Sequence, residues 1–348
     1  MSEKQGKMGV KTSKRYVAYA ILIAFLLLLP WLSLGGAYFI HVCILIFTYV
    51  IATSSLRTIF VSGQASIGHA AFMGIGAYTS ALLSTKLGWT PWVTILLGAI
   101  TAMVVAVLSG YLFSRLRAIY FSMVTAFFGV AFEALMRSGG EFTGGKAGMV
   151  ALPGMGVIDL PGLGEINFAT SKIPYYYLLL FLTLFTLIVL YRIERSRSGM
   201  NWMAIAQSPL VASSIGISET KFRILAFAVG CFFGGLAGSV YPHYSSVLSP
   251  GSFSLMPSIN LVIFLLFGGT RFFAGPVIGV IVLMAIPEVF RSLKQYAPYI
   301  VGGIMLLVTF WMPQGLAGLF ESAKPWIFKM FGKSANPVRK EFSNGMRK

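Results

Sequence analysis

Hydrophobic and polar positions in this chain separate by whole segments. From Val17 to Leu56 there is no Lys, Arg, Asp or Glu, and turn-forming residues interrupt the run only near Pro30 to Gly36. About twenty apolar residues cross the hydrocarbon of a bilayer, where the backbone must satisfy its own hydrogen bonds. This stretch therefore predicts two membrane helices. Thr58 to Thr85 is a third uncharged stretch, rich in small and polar residues. Further spans are predicted over Trp92–Phe113, Ala118–Met136, Pro174–Tyr191, Ile224–Tyr241, Ser258–Gly269, Phe272–Phe290 and Pro298–Met312. The expected fold class is an all-α polytopic membrane protein with about ten transmembrane helices, some broken or short. A basic flank followed by Val17–Leu29 imitates a signal peptide. No small-x-small cleavage site follows and a second span begins at once, so a retained helix is expected.

Composition agrees with the pattern. Of 348 residues, 57% are hydrophobic and 11% charged, against roughly 25% charged in soluble domains, and mean hydropathy is +0.80. A soluble surface could not carry this much apolar area without aggregating. Cys43 and Cys231 lie inside apolar runs and form no disulfide framework. The net charge of +17 admits two explanations, a nucleic-acid partner or basic cytoplasmic loops. With the N-terminus inside, 21 of the 27 Lys and Arg residues fall on the inner side and six on the outer. Both termini are therefore expected in the cytoplasm, with no nucleic-acid role. The expected organisation is a basic tail over 1–16, a transmembrane core over 17–320 and a second basic tail over 321–348. Within the core, 138–173 is an outer loop and 192–223 an inner one.

Catalytic chemistry is thinly represented. His41, His69 and His243 are far apart and lack metal-ligand spacing. Only Glu133 and Glu288 among the ten acids fall inside predicted spans, both near helix ends, where pairing with Arg137 or Arg291 is expected before proton relay. Gly140-Glu141-Phe142-Thr143-Gly144-Gly145-Lys146 imitates a phosphate-binding loop, but Ala147 stands where the magnesium-binding hydroxyl belongs and no strand is predicted before it. No metal site and no nucleotide site is expected, so any ATPase that drives this chain must be another polypeptide.

Three segments carry information. The third span contains Gly63, Gln64, Ser66, Gly68, His69 and Gly74. Either a broken helix places polar groups beside a pathway, or small residues such as Ala70 and Gly74 pack helices closely. Phe267 to Gly279, with Gly268, Gly269, Arg271, Gly275 and Pro276, reads as a tight cytoplasmic turn. Two glycine-broken segments could also mark a weak internal repeat. Arg192 to Arg223 is basic, and its middle predicts a short amphipathic helix ended by Gly216, suited to docking a soluble partner or resting on lipid. Gly230, Gly234 and Gly238 follow at four-residue spacing, a stripe for close helix contact. The outer loop, long and rich in Gly and Pro, suits a lid or a receptor-facing surface.

These residues resemble the LivM-type permeases of ATP-binding-cassette importers for branched-chain amino acids. The resemblance spans about residues 38 to 320. It rests on Ser62 to Tyr78, on Thr143-Gly144-Gly145 with Gly148, on Ala226-Phe227 and Gly235 to Gly238, and on Gly268-Gly269 with Gly275-Pro276 and Gly279. It implies a bacterial inner-membrane subunit paired with a second permease, two cytoplasmic ATPases that use ATP and Mg, and a periplasmic substrate-binding protein. It also implies that Ala204 to Ile217 couples to the ATPase, with Ala212 and Gly216 matching the Ala-x-x-x-Gly part of the docking loop. The acidic residues usual before that alanine are replaced here by Gln207-Ser208-Pro209-Leu210. An aliphatic amino acid is the expected substrate, with urea or short amides as the alternative served by related permeases. Gln64, Ser66 and His69 are the candidate pathway residues. An ion-coupled secondary transporter and a membrane enzyme dependent on His69 or Glu133 are the competing classes.

Overall fold

The computed structural model describes residues 24–31, 36–113, 116, 118–160, 164–168 and 171–289, with isolated positions at 302, 303, 315, 316 and 318. Apart from Gly302 and Gly303, the predicted span Pro298–Met312 lies outside the described residues, as do both basic tails. The chain divides into two compact units, Met1–Val262 and Ile263–Lys348.

The first unit is built from helices α1 (Gly36–Val61), α2 (His69–Lys86), α3 (Pro91–Phe113) and α4 (Ala118–Ser138), then the short α5 (Gly140–Thr143). After strands β1 (Met149–Val150), β2 (Val157–Leu160) and β3 (Gly164–Asn167) come α6 (Ile173–Glu194), α7 (Arg197–Gln207), α8 (Pro209–Ser214) and α9 (Glu219–Ser245). Strand β4 (Val247–Leu248) and a 3-10 turn (Pro250–Phe253) lead into α10 (Leu255–Gly268), whose later residues belong to the second unit with α11 (Gly275–Val289). Among the described residues, six helical segments are long and apolar enough to cross a membrane: α1, α3, α4, α6, α9 and Pro250–Gly268. The protein is an all-α polytopic membrane protein.

Two segments left open or irregular in the sequence are decided here. Thr58 to Thr85 is not one helix: α1 continues through Arg57 to Val61, the chain leaves the helix over residues 62–68, and α2 begins at His69. Arg57, expected in an inner loop, sits inside α1 and is 4% exposed. A buried guanidinium needs a partner, and Glu194 at the end of α6 provides it, with Nη2 donating to Oε1 at 2.9 Å and Nη1 to Oε2. The outer loop is also less irregular than expected. It holds α5, the β2–β3 hairpin, and β1, which pairs antiparallel with β4 through Met149 opposite Leu248.

Contacts along the helices set their directions. His41 bonds Tyr244 at one end of α1, whereas a Cβ on Gly230 would meet Ile59 near the other, so α1 and α9 run antiparallel. Gly234 faces His69 and Gly238 faces Met73, so α9 and α2 run the same way. Helix α3 opposes both, with Thr94 bonded to Ser80 and Gly110 beside Phe227. The helices approach to backbone contact: a Cβ on Gly76 would lie 2.3 Å from the Gly235 carbonyl oxygen, and one on Gly238 would lie 2.0 Å from that of Met73. Lipid tails offer no hydrophobic drive to bring helices together, so small residues that permit this approach are what hold them. These directions collect Val61, Glu194, α7 and the start of α9 at one end. Lys86, α5 and Tyr244 collect at the other.

Candidate functional site

The break between α1 and α2 is made by the residues themselves. Gly63 has φ +81°, in the left-handed region that favours glycine. Ser62 Oγ donates back to the Ile59 carbonyl at 2.7 Å, closing α1. The extended stretch that follows is tied to α4: Ser122 Oγ donates to the Ala65 carbonyl at 2.6 Å, and Ile67 N donates to Thr125 Oγ1 at 3.2 Å. At Gly68 a Cβ would sit 1.8 Å from the Thr125 carbonyl oxygen. Only glycine fits there, so the N-terminus of α2 has no side-chain cap. Ala70 N donates instead to Ser258 Oγ at 2.9 Å.

This segment concentrates buried polar groups without partners. Gln64 is 1% exposed and Ser66 fully buried, yet neither the Gln64 amide nor the Ser66 hydroxyl has a hydrogen-bond partner among the described residues. The ring of His69 is half satisfied. Its Nε2 lies 2.9 Å from Ser55 Oγ, while its Nδ1 has no partner. Thr53 and Ser54, on α1 beside Ser55, carry orphaned hydroxyls as well. Each such group costs roughly 1–3 kcal/mol, and protein interiors leave few of them. A cluster at a helix break inside a membrane is the arrangement expected where a polar solute passes. Gly74 and Gly234 set its walls: a Cβ on Gly74 would meet the Phe132 ring at 2.4 Å, and one on Gly234 would meet His69 Nε2 at 2.7 Å.

The segment proposed to couple lies directly against the break. A Cβ on Gly63 would approach Ala206 Cα of α7 to 3.0 Å. Helix α7 is also anchored one turn earlier, where Trp202 is buried and its Nε1 donates to the Phe222 carbonyl at 2.8 Å. The single amphipathic helix expected here is two helices, because Ser208 adopts extended backbone and Pro209 starts α8. Ala204 lies in α7, Ala212 is buried in α8, and Gly216, with φ +84°, turns the chain after α8 with nothing near it. Leu210, Val211 and Ile215 project outward, with Leu210 81% exposed. Sequence reading included these three in the amphipathic docking segment without singling them out. Their signal was three apolar residues in a basic segment too short to span a membrane.

The remaining candidates hold the backbone together. Thr143 Oγ1 donates to the Met136 carbonyl at 2.6 Å. Gly144 and Gly145 have positive φ, and a Cβ on Gly144 would overlap the Gly148 carbonyl. Helices, not a strand, precede this loop. In the second unit, Gly268 and Gly275 touch backbone to backbone, Gly269 turns the chain at φ +100°, and Pro276 enters α11. His243 is engaged on both nitrogens, by Ser80 and the Pro153 carbonyl. Glu133 pairs with Arg137. Among the described residues no three His, Cys, Asp or Glu side chains form a metal-binding group.

The described residues form a multi-pass helical protein with a polar break buried between its helices. Residues 38–311 match the family described as branched-chain amino acid transport system, permease component, and the chain belongs to that family. Two relatives are high-affinity branched-chain amino acid transport system permease proteins named LivM. That of Salmonella typhimurium is 27% identical over 285 residues, covering 77% of this chain and 67% of the relative. That of Escherichia coli is 27% identical over 313 residues, covering 85% and 74%. No solved structure matches the chain.

Proposed function

We propose that this chain is a permease subunit of an ATP-driven importer for branched-chain amino acids in the bacterial inner membrane. It pairs with a second homologous permease and forms the translocation path by alternating access. Two cytoplasmic subunits hydrolyse ATP with Mg, a periplasmic binding protein delivers substrate, and this chain binds no nucleotide. In this reading both termini and the α7–α8 segment face the cytoplasm, and the loop around Thr143 faces the periplasm.

The observation that supports this reading best is the contact of Ala206 with Gly63. It joins an end segment with outward-facing Leu210, Val211 and Ile215 to the break that carries Gln64 and Ser66. A partner that grips α8 and moves α7 would act on the break without an intervening linker. The ion pair from Arg57 to Glu194 keeps α1 and the end of α6 together during such a movement.

Reconstitution tests it. The purified chain alone should hydrolyse no ATP and take up nothing. Vesicles holding the chain with its second permease, ATPases and binding protein should accumulate leucine, isoleucine or valine only with ATP inside the ATPase compartment. Uptake by the lone chain under an ion gradient would overturn the proposal. Accumulation of urea or a short amide in place of the amino acids would change the substrate and keep the class.

A further inference from the structure

The orphaned groups at the break divide into donors and acceptors. Gln64 Nε2 and the Ser66 hydroxyl can donate, and the start of α2, an 18-residue helix whose N-cap Gly68 has no side chain and whose Ala70 N–H is taken by Ser258 Oγ, adds the positive end of its dipole. Gln64 Oε1 can accept. So can His69 Nδ1: the single Ser55 hydrogen goes to the Ala52 carbonyl at 2.8 Å, so Ser55 accepts from His69 Nε2–H and Nδ1 keeps its lone pair. The four side-chain atoms, Gln64 Nε2 and Oε1, Ser66 Oγ and His69 Nδ1, lie within six consecutive buried residues and have no partner among the described residues.

We infer that the broken segment binds the zwitterionic head of an α-amino acid. Gln64 Nε2, the Ser66 hydroxyl and the α2 N-terminus take the carboxylate; Gln64 Oε1 and His69 Nδ1 take the ammonium. No full charge is needed. Buried ions of opposite sign would hold the substrate too firmly for release, whereas neutral dipoles and a helix end supply a matched but weaker field. At Gly68 the Thr125 carbonyl excludes every larger residue, so no N-cap side chain competes for the helix start, where Ser258 Oγ takes the Ala70 N–H. Gly234 keeps the His69 ring in register by leaving room for Nε2 beside Ser55. A carboxylate ligand also separates this site from one for urea or short amides, which carry no anion for the helix terminus.

The inference rests on the reading of the chain as an amino-acid permease, and the test separates the two. Ser66→Ala and Gln64→Met each delete a buried group that has no protein partner, so neither should lower the melting temperature of the assembled importer. Each should cut ATP-driven leucine uptake at least fivefold, and Ser66→Thr, which restores the hydroxyl, should recover most of it. Saturation-transfer NMR on the solubilised permease pair with its ATPases, without binding protein, should show leucine contact several-fold above leucinamide, and Gln64→Met should abolish the difference. Uptake unchanged in both variants while the wild type transports would overturn the inference, as would equal contact by leucinamide. Failure of the wild-type importer to transport would instead strike the functional reading.

Discussion

At the scale of single residues, the clearest consequence concerns Arg57. In the sequence it looks like the one cation of a short inner loop between two uncharged runs. In the folded chain it is buried and bound through two nitrogens to Glu194, a residue 137 positions away. Removing one member of a buried pair leaves the other uncompensated, which costs about 3–5 kcal/mol. Arg57→Met should therefore lower stability by that order in chemical unfolding of the detergent-solubilised chain. Arg57→Met with Glu194→Leu should regain most of the loss, because two apolar side chains replace two desolvated charges. Equal loss in the double variant would show that the pair contributes through something other than its mutual charge. Gln64, Ser66 and His69 were legible as unusual, since polar residues among glycines make a poor lipid-facing helix. Their lack of partners was not, because satisfaction depends on which atoms α4, α9 and α1 bring close.

At the scale of elements, the sequence located most spans to within a few residues and left one open between a broken helix and a packed one. Thr58 to Thr85 has the length of a span, yet the chain breaks at Gly63, and the residues that follow are held out of the helix by bonds to Ser122 and Thr125 of α4. Those bonds are long-range and leave no mark in local composition. Helix α8 gives the prediction proper to this scale. Leu210 is exposed at its start, whereas Ala212 is buried and supports the fold. Leu210→Asp should leave the melting temperature of the isolated chain unchanged, since surface substitutions usually fall within about 0.5 kcal/mol. It should weaken copurification of the ATPase subunits at least tenfold, because a charge in an apolar contact must be desolvated without a partner. Normal copurification and normal ATP-driven uptake would remove α8 from the docking surface.

At the scale of the whole molecule, helix directions and charge positions agree. Arg195 and Lys221 lie at the end of the first unit that holds the break, and Lys86 lies at the other. In a chain with Cys43→Ser and Cys231→Ala, a cysteine at Lys86 should react with an impermeant maleimide in intact spheroplasts. One at Arg195 should react only after permeabilisation. Labelling of both from one side would contradict the orientation drawn from the basic residues.

The sequence by itself determined the membrane class, the approximate spans, the family and the short list of polar residues worth attention. Hydropathy, charge asymmetry and motif order are local or additive properties, and they survive without coordinates. Only the tertiary structure decided that Arg57 is a buried strut, that α1 stops at Val61, that Ala206 rests on Gly63, and that Gln64 and Ser66 face no partner. Each of those facts is a distance between residues far apart in the chain. Such distances are set by helices packed to backbone contact through glycine; the stripe at Gly230, Gly234 and Gly238 marks close contact along the chain but not which helices it meets.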